Sequence, residues 1–229
     1  SDSMPTDRRP SFHRALLIFS AFCILILMPP EAARNITEHP RLTILWVILY
    51  LGFFGLIIAW GQRLYRRYDH FNHRSQSFFA HAKTILGGYL AIVAGEIVLG
   101  NLNRLIYHQV QTANNQAIID TMSGSPIVSV LVCFSAVCLT PFAEELIFRG
   151  LFMNLFFNAR DFWLPILLSG LVFTLVHASS NIISYLIYFY MGCVLAYVYR
   201  STGNLTNSIG IHLINNLVSI FLILPAVIK

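Results

Sequence analysis

Six or seven continuous apolar runs divide this chain, and any fold it adopts must give each run a surroundings without water. The runs are about Ala15 to Met28, Leu42 to Trp60, Ile85 to Ile106, Ile127 to Phe157, Phe162 to Ala178, Ile182 to Tyr199 and Ser208 to Ile228. A hydrocarbon core about 30 Å thick takes about 20 apolar residues per spanning helix, and the runs approach or exceed that length. They are continuous instead of alternating in segments of about ten, which excludes barrel strands. With 11% charged and 56% hydrophobic residues, the chain also lies outside the soluble norm of about 25% charged. The expected fold is all-α: a polytopic transmembrane helix bundle of six to eight spans, with seven as the count adopted.

The first run is short, ends at Pro29-Pro30 and lacks a small-residue cleavage pattern, so it reads as a tilted or shallow helix and not as a signal peptide. Ser1-Asp2-Ser3, ahead of Met4, reads as an expression scar. The organisation is then 1–14 as scar and cytoplasmic N-terminus, 15–124 as N-terminal transmembrane helices and 125–229 as C-terminal transmembrane helices that carry the motifs. The polar stretches Gln62 to Lys83 and Tyr107 to Ser125 are too short for a domain outside the membrane. Cys23, Cys133, Cys138 and Cys193 all lie in apolar runs, where they act as small hydrophobes, and no metal spacing connects them.

Cytoplasmic loops of membrane proteins collect the Lys and Arg residues. With the N-terminus inside, Arg8, Arg9, Arg14, Arg63, Arg66, Arg67, Arg74, Lys83, Arg160 and Arg200 fall on that side, and Arg34, Arg41, Arg104 and Lys229 fall outside. The net charge of +5 is therefore mostly a topology signal. It gives no basic face for nucleic acid, and the expected surroundings are membrane lipids. The setting this implies is a multi-pass integral membrane protein with its N-terminus in the cytoplasm.

One cation, Arg149, belongs to neither side. Ionisable groups inside a span cost roughly 2.5–3.5 kcal/mol each on insertion scales, so those present need a reason. They are Glu96, Glu144, Glu145, Arg149, His177 and His212. Glu145 and Arg149 are i,i+4 and can pair along one helix face, whereas Glu144 points about 100° away. If the helix runs to Arg160, Glu144 sits roughly 24 Å from it, too deep for a helix end reaching the surface. Phe173 and His177 share a face of the next helix, and a turn near Arg160 to Trp163 brings Glu144 and His177 to similar depth. In the last run His212 and Asn216 share a stripe that must face the bundle interior. Straight-helix arithmetic puts His212 only about 8 Å above a turn near Asn207, so either the Gly203-Asn204 connection enters the membrane or the inner ends are uneven.

Glu144-Glu145-x-x-x-Arg149, Phe173-x-x-x-His177 and His212-x-x-x-Asn216, with Arg200-Ser-Thr-Gly-Asn leading into the third, resemble the CPBP family of intramembrane proteases. That family includes CAAX prenyl endopeptidases of the Rce1 type and bacterial Abi or bacteriocin-immunity relatives. The resemblance covers roughly Ser125 to Lys229. It implies peptide hydrolysis in the membrane, with Glu144 activating water, His177, His212 and Asn216 assisting, and Glu145 and Arg149 holding the site together with Phe173 beside them.

The residues are chemically adequate for this. A carboxylate among apolar groups can take a proton from water and pass it to a leaving amine. His177 can orient the water, while His212 and Asn216 can donate to a developing oxyanion. Glu144, His177 and His212 could alternatively supply three Zn²⁺ ligands, but no HExxH is present, and the metal-free reading, with no cofactor, is preferred. Ser179 and Ser180 read as caps of a helix beginning near Asn181, not as nucleophiles. Two other classes compete: a non-catalytic immunity or scaffold protein binding a peptide or partner in the same cavity, and a small transporter using Glu96 with the Glu/His set as a proton relay. Against transport, no inverted repeat is visible and the polar residues concentrate in the C-terminal half.

Overall fold

The computed structural model describes residues 6–229; the reading of Ser1-Asp2-Ser3 as a scar lies outside the described residues. Every regular element among them is helical. They are α1 (Phe12–Ile26), α2 (Met28–Glu38), a short 3₁₀ turn (Pro40–Leu42), α3 (Thr43–Tyr68), α4 (Phe78–Tyr107), α5 (Ala113–Ser123), α6 (Pro126–Cys138), α7 (Thr140–Glu145), a π turn (Leu146–Leu151), α8 (Phe152–Phe156), α9 (Trp163–Leu175), α10 (Ile182–Thr202) and α11 (Leu205–Ile228).

Local chemistry sets the boundaries. The Ser77 side chain accepts from Ala80 N–H at the start of α4, and the Asn181 side chain accepts from Ser184 N–H at the start of α10. The α10 cap is thus Asn181, and not the Ser179-Ser180 pair that the sequence points to. Pro29 and Pro30 do not end the first run. They lie in the first turn of α2, where a missing N–H removes no helical bond, and the chain continues through Leu27 in helical geometry.

Five segments are long and apolar enough to cross a bilayer: Phe12–Glu38, Pro40–Tyr68, Phe78–Tyr107, Ile182–Thr202 and Leu205–Ile228. A sixth, Pro126–Cys138 with Thr140–Phe156, bends by 48°. The run Phe162 to Ala178 is helical only over the 13 residues of α9, about 20 Å, which is short of a span. Among the described residues there are thus five helices of spanning length, or six if the bent pair is one span, below the seven adopted.

α10 is the central helix: 56% of its apolar window is buried, against 11% for α4 and 17% for Pro40–Tyr68. It crosses α9 at two glycines. A Cβ on Gly192 would lie 2.9 Å from Gly170 Cα, and one on Gly170 would lie 3.1 Å from Cys193 N and Phe189 O. Backbone lines both sides of this crossing.

Contacts sort the loops onto two ends. At one end, Phe12 and Phe156 rings meet at 6.0 Å, His70 N–H donates to Asn154, Arg200 donates to the carbonyls of Ala159 and Asp161, and Arg74 N–H donates to Thr202 O. At the other end, Gln109 pairs with Ser180 and Asn181. The first end carries the ten-cation set and the second the four-cation set. At the cation-rich end the Gly203-Asn204 turn is covered by the segment between α3 and α4. Gly203, at φ 66°, would put a Cβ 2.0 Å from Asn72 O, and Asn204 Nδ2 donates to Arg74 O.

The α9–α10 crossing yields the first prediction. Gly192→Ala lowers stability by about 1–3 kcal/mol through overpacking against backbone, read as a lowered Tm in detergent. Gly87→Ala, with nothing within 4 Å of its Cβ, leaves the Tm unchanged.

Candidate active site

The bend in the sixth span comes from its sequence. Pro141 lacks an N–H, so the helix cannot run through it unbroken; α6 stops at Cys138 and α7 restarts at Thr140. Carbonyls in the last turn of α6 lose helical partners, and Asn216 Nδ2 donates to one of them, Ala136 O, at 2.8 Å. Immediately after Glu145 the helix loosens into the π turn, of a kind frequent at functional sites, which contains Arg149 and Gly150.

Arg149 is completely buried. Its Nε lies 3.3 Å from Glu145 Oε2, its Nη2 donates to Gly192 O at 2.9 Å, and its guanidinium lies over the Phe173 ring, 4.4 Å from the centroid. Those three partners come from α7, α10 and α9, so one side chain ties together three helices. Glu145, also fully buried, accepts from His212 Nδ1 at 2.8 Å. The Phe173 carbonyl accepts from His177 Nδ1 at 2.7 Å.

These two bonds fix both imidazoles. A carbonyl can only accept, and a carboxylate held by an arginine accepts as well, so each Nδ1 carries the hydrogen. Both Nε2 atoms are left for the opposite direction, and both face one atom. His212 Nε2 is 3.6 Å and His177 Nε2 3.9 Å from Glu144 Oε2, which is buried and makes no hydrogen bond within the protein. Glu144 and His177 keep 13% of their side-chain surface accessible, against 3% for His212 and none for Glu145. The free carboxylate is thus the reachable member of the pair and the arginine-held carboxylate is its support.

The structure brings together Glu144, Glu145, Arg149, Phe173, His177 and His212. Asn216 lies on the same helix as His212, but one of its amide protons is committed to the α6 break. Sequence reading missed Tyr188, whose ring stacks on His177 with centroids 4.8 Å apart at 17° and whose hydroxyl pairs with Thr112 Oγ1 at 2.8 Å. Tyr188 lies in the aromatic run Tyr185 to Tyr190, and nothing in that run marks it out. Glu145, His212, Arg149 and Phe173 pack as one unit, and no group of three His, Cys, Asp or Glu among the described residues is disposed to hold a metal ion. Tetrahedral ligands about 2.0–2.1 Å from zinc stand about 3.3 Å apart, closer than the 3.6 and 3.9 Å found here.

The fold and site define a class: a multi-pass membrane helix bundle with a carboxylate–imidazole cluster between its C-terminal helices. Residues 126–218 match the family model of type II CAAX prenyl endopeptidase Rce1-like proteins. That segment holds every motif residue from Glu144 to Asn216, and over it the CPBP-family resemblance is shown. The chain is also similar to the UPF0177 protein YvdC of Lactococcus lactis, at 24% identity over 208 residues, covering 90% of this chain and 77% of that protein. It is similar to the Bacillus subtilis protein named "Putative membrane peptidase YdiL", at 28% identity over 106 residues, covering 46% of this chain and 41% of that protein. No solved structure matches.

Removing the guanidinium strands Glu145 as a buried, uncompensated charge. Arg149→Met therefore costs about 3–5 kcal/mol, seen as loss of a cooperative unfolding transition in detergent or a large drop in Tm. Arg149→Lys keeps the charge but cannot reach Glu145 and Gly192 O while lying over Phe173; it gives a smaller loss of Tm.

Proposed function

We propose that the chain is an intramembrane endopeptidase in which Glu144 activates water, without a metal. The observation that carries this reading is Glu144 Oε2, a buried oxygen that makes no hydrogen bond and is faced by the Nε2 atoms of two histidines whose other ring nitrogens are already committed. In the reaction Glu144 takes a proton from water as its oxygen bonds to the scissile carbonyl carbon. The C–N bond then breaks, and Glu144 returns the proton to the leaving amine. His177 orients the water through Nε2. His212, when protonated, donates from Nδ1 to Glu145 and from Nε2 to the developing oxyanion, and the second amide proton of Asn216 assists it. Glu145 and Arg149 hold His212 in place.

The similarity to a family of CAAX prenyl endopeptidases and to a protein named as a membrane peptidase supports this reading. The substrate is a peptide or membrane protein, CAAX-type or bacteriocin-like. The setting is a bacterial plasma membrane with the N-terminus cytoplasmic, supported by the ten-to-four distribution of cations between the two ends.

Glu144→Gln is expected to lower kcat by at least about 10²-fold in purified protein with a peptide library, while the Tm stays within a degree or two. Cleavage at the wild-type rate overturns the assignment, and wild-type protein that cleaves nothing favours the non-catalytic immunity or scaffold reading. Activity is expected to survive exhaustive chelation; loss that zinc restores would replace the metal-free mechanism with a zinc-dependent one.

A further inference from the structure

The two ends of the molecule are unequally closed around the cluster. Toward the cation-rich end, the space below Arg149 is filled by Phe148, Leu151, Asn154 and Tyr199, each fully buried, and then by Tyr65 and His70, at 7% and 5% exposure. The polar atoms in this plug are used up within it. Asn154 Nδ2 donates to Gly150 O and Tyr199 Oη, Tyr199 Oη donates to Tyr65 Oη, and His70 Nε2 is bonded to Phe157 O.

The cation-poor end is built differently. α9 stops at Leu175, so His177 already sits in the connection to α10, next to exposed Ala178 and Ser180. From the imidazole the contacts run outward through Tyr188 to Thr112 and from Ser180 to Gln109. Thr112, Gln109, Gln111, Gln116 and Ser180 line an open hollow of about 430 Å³. Its lining carries no charge, and the segment from His108 to Ser125 contains a single acidic residue, Asp120, and no Lys or Arg. Side-chain amides both donate and accept, which matches the alternating N–H and C=O groups of an extended peptide, and the lining offers no cation to a phosphate headgroup.

From the closed plug, the open amide-lined hollow and the cation distribution, we propose that the site opens only at the cation-poor, extracytoplasmic end. Its substrate is an extended, uncharged peptide segment that emerges from the membrane on that side. The proposal rests on the peptidase reading for the word substrate, but the direction of opening stands apart from it. Peptides in the cytoplasm, a CAAX-type C-terminus among them, are not substrates under this arrangement, which leaves the bacteriocin-like alternative of the two named above.

The direction can be measured without turnover. In full-length protein with Cys23, Cys133, Cys138 and Cys193 replaced by alanine, Glu144→Cys is exposed to a small membrane-impermeant thiol reagent in right-side-out and in inside-out vesicles. Ser180→Cys and Arg66→Cys mark the two faces, and His177→Cys serves if Glu144→Cys does not fold. The thiol at position 144 is expected to react at least tenfold faster in right-side-out vesicles, together with Ser180→Cys, while Arg66→Cys reacts only in inside-out vesicles. Faster reaction in inside-out vesicles, equal rates in both, or reaction in neither overturns the proposal. If the labelling holds and the wild-type protein still cleaves no peptide, the peptidase reading fails while the direction of opening is retained.

Discussion

The guanidinium of Arg149 has no water to dissolve it, and the site is organised around keeping that charge. An ion of this kind in an interior is tolerated only when its partners are close and well directed. Here the partners are the Gly192 carbonyl, which accepts from Nη2, the face of Phe173, and Glu145, whose Oε2 is 3.3 Å from Nε in an ion pair without a hydrogen bond. Two of them do a second job. Glu145, beside the arginine, accepts from His212 Nδ1, and Phe173 presents the backbone carbonyl that accepts from His177 Nδ1. Two chains of contacts therefore run from one cation and meet again at Glu144 Oε2. The glutamate pair is asymmetric for this reason: one carboxylate is consumed by the support, and the other is left for chemistry.

The surrounding helices are shaped to let those chains close. Gly170 and Gly192 allow the backbones of α9 and α10 to touch, which brings the Gly192 carbonyl within reach of Arg149. Pro141 breaks the sixth span just ahead of the glutamates, and Asn216 on α11 binds the carbonyl released by the break. The short α9 places His177 in a connection and not in mid-helix. α10, the most buried span, passes behind all of these and contributes Tyr188 as a lid over the His177 ring.

Much of this is legible in the sequence because charge is so scarce in it. A pairing of Glu145 with Arg149 follows from i,i+4 spacing, and Glu144 with His177 follows from equal distances to a shared turn. The apolar runs give the bundle. What escaped has physical reasons. Apolar length does not reveal where a helix stops, so α9 looks like a full span. Proline at the start of a helix reads like proline at its end, so Pro29-Pro30 is misread. The loop between α3 and α4, which covers the α10–α11 turn through Asn72 and Arg74, leaves no periodic signal. Asn216 shares a stripe with His212, but a stripe cannot show that its amide serves a broken helix across the bundle. Tyr188 is one aromatic among several.

The account stands on the orientation of two imidazole rings, and that can be observed directly by ¹⁵N resonance of histidine-labelled protein near neutral pH. The protein has eight histidines, and spectra of His177→Gln and His212→Gln assign the two that matter. Both rings should carry hydrogen on Nδ1, with Nε2 of His177 bare. A ring at either position with a bare Nδ1 and a protonated Nε2 would contradict the arrangement that leaves Glu144 free to act.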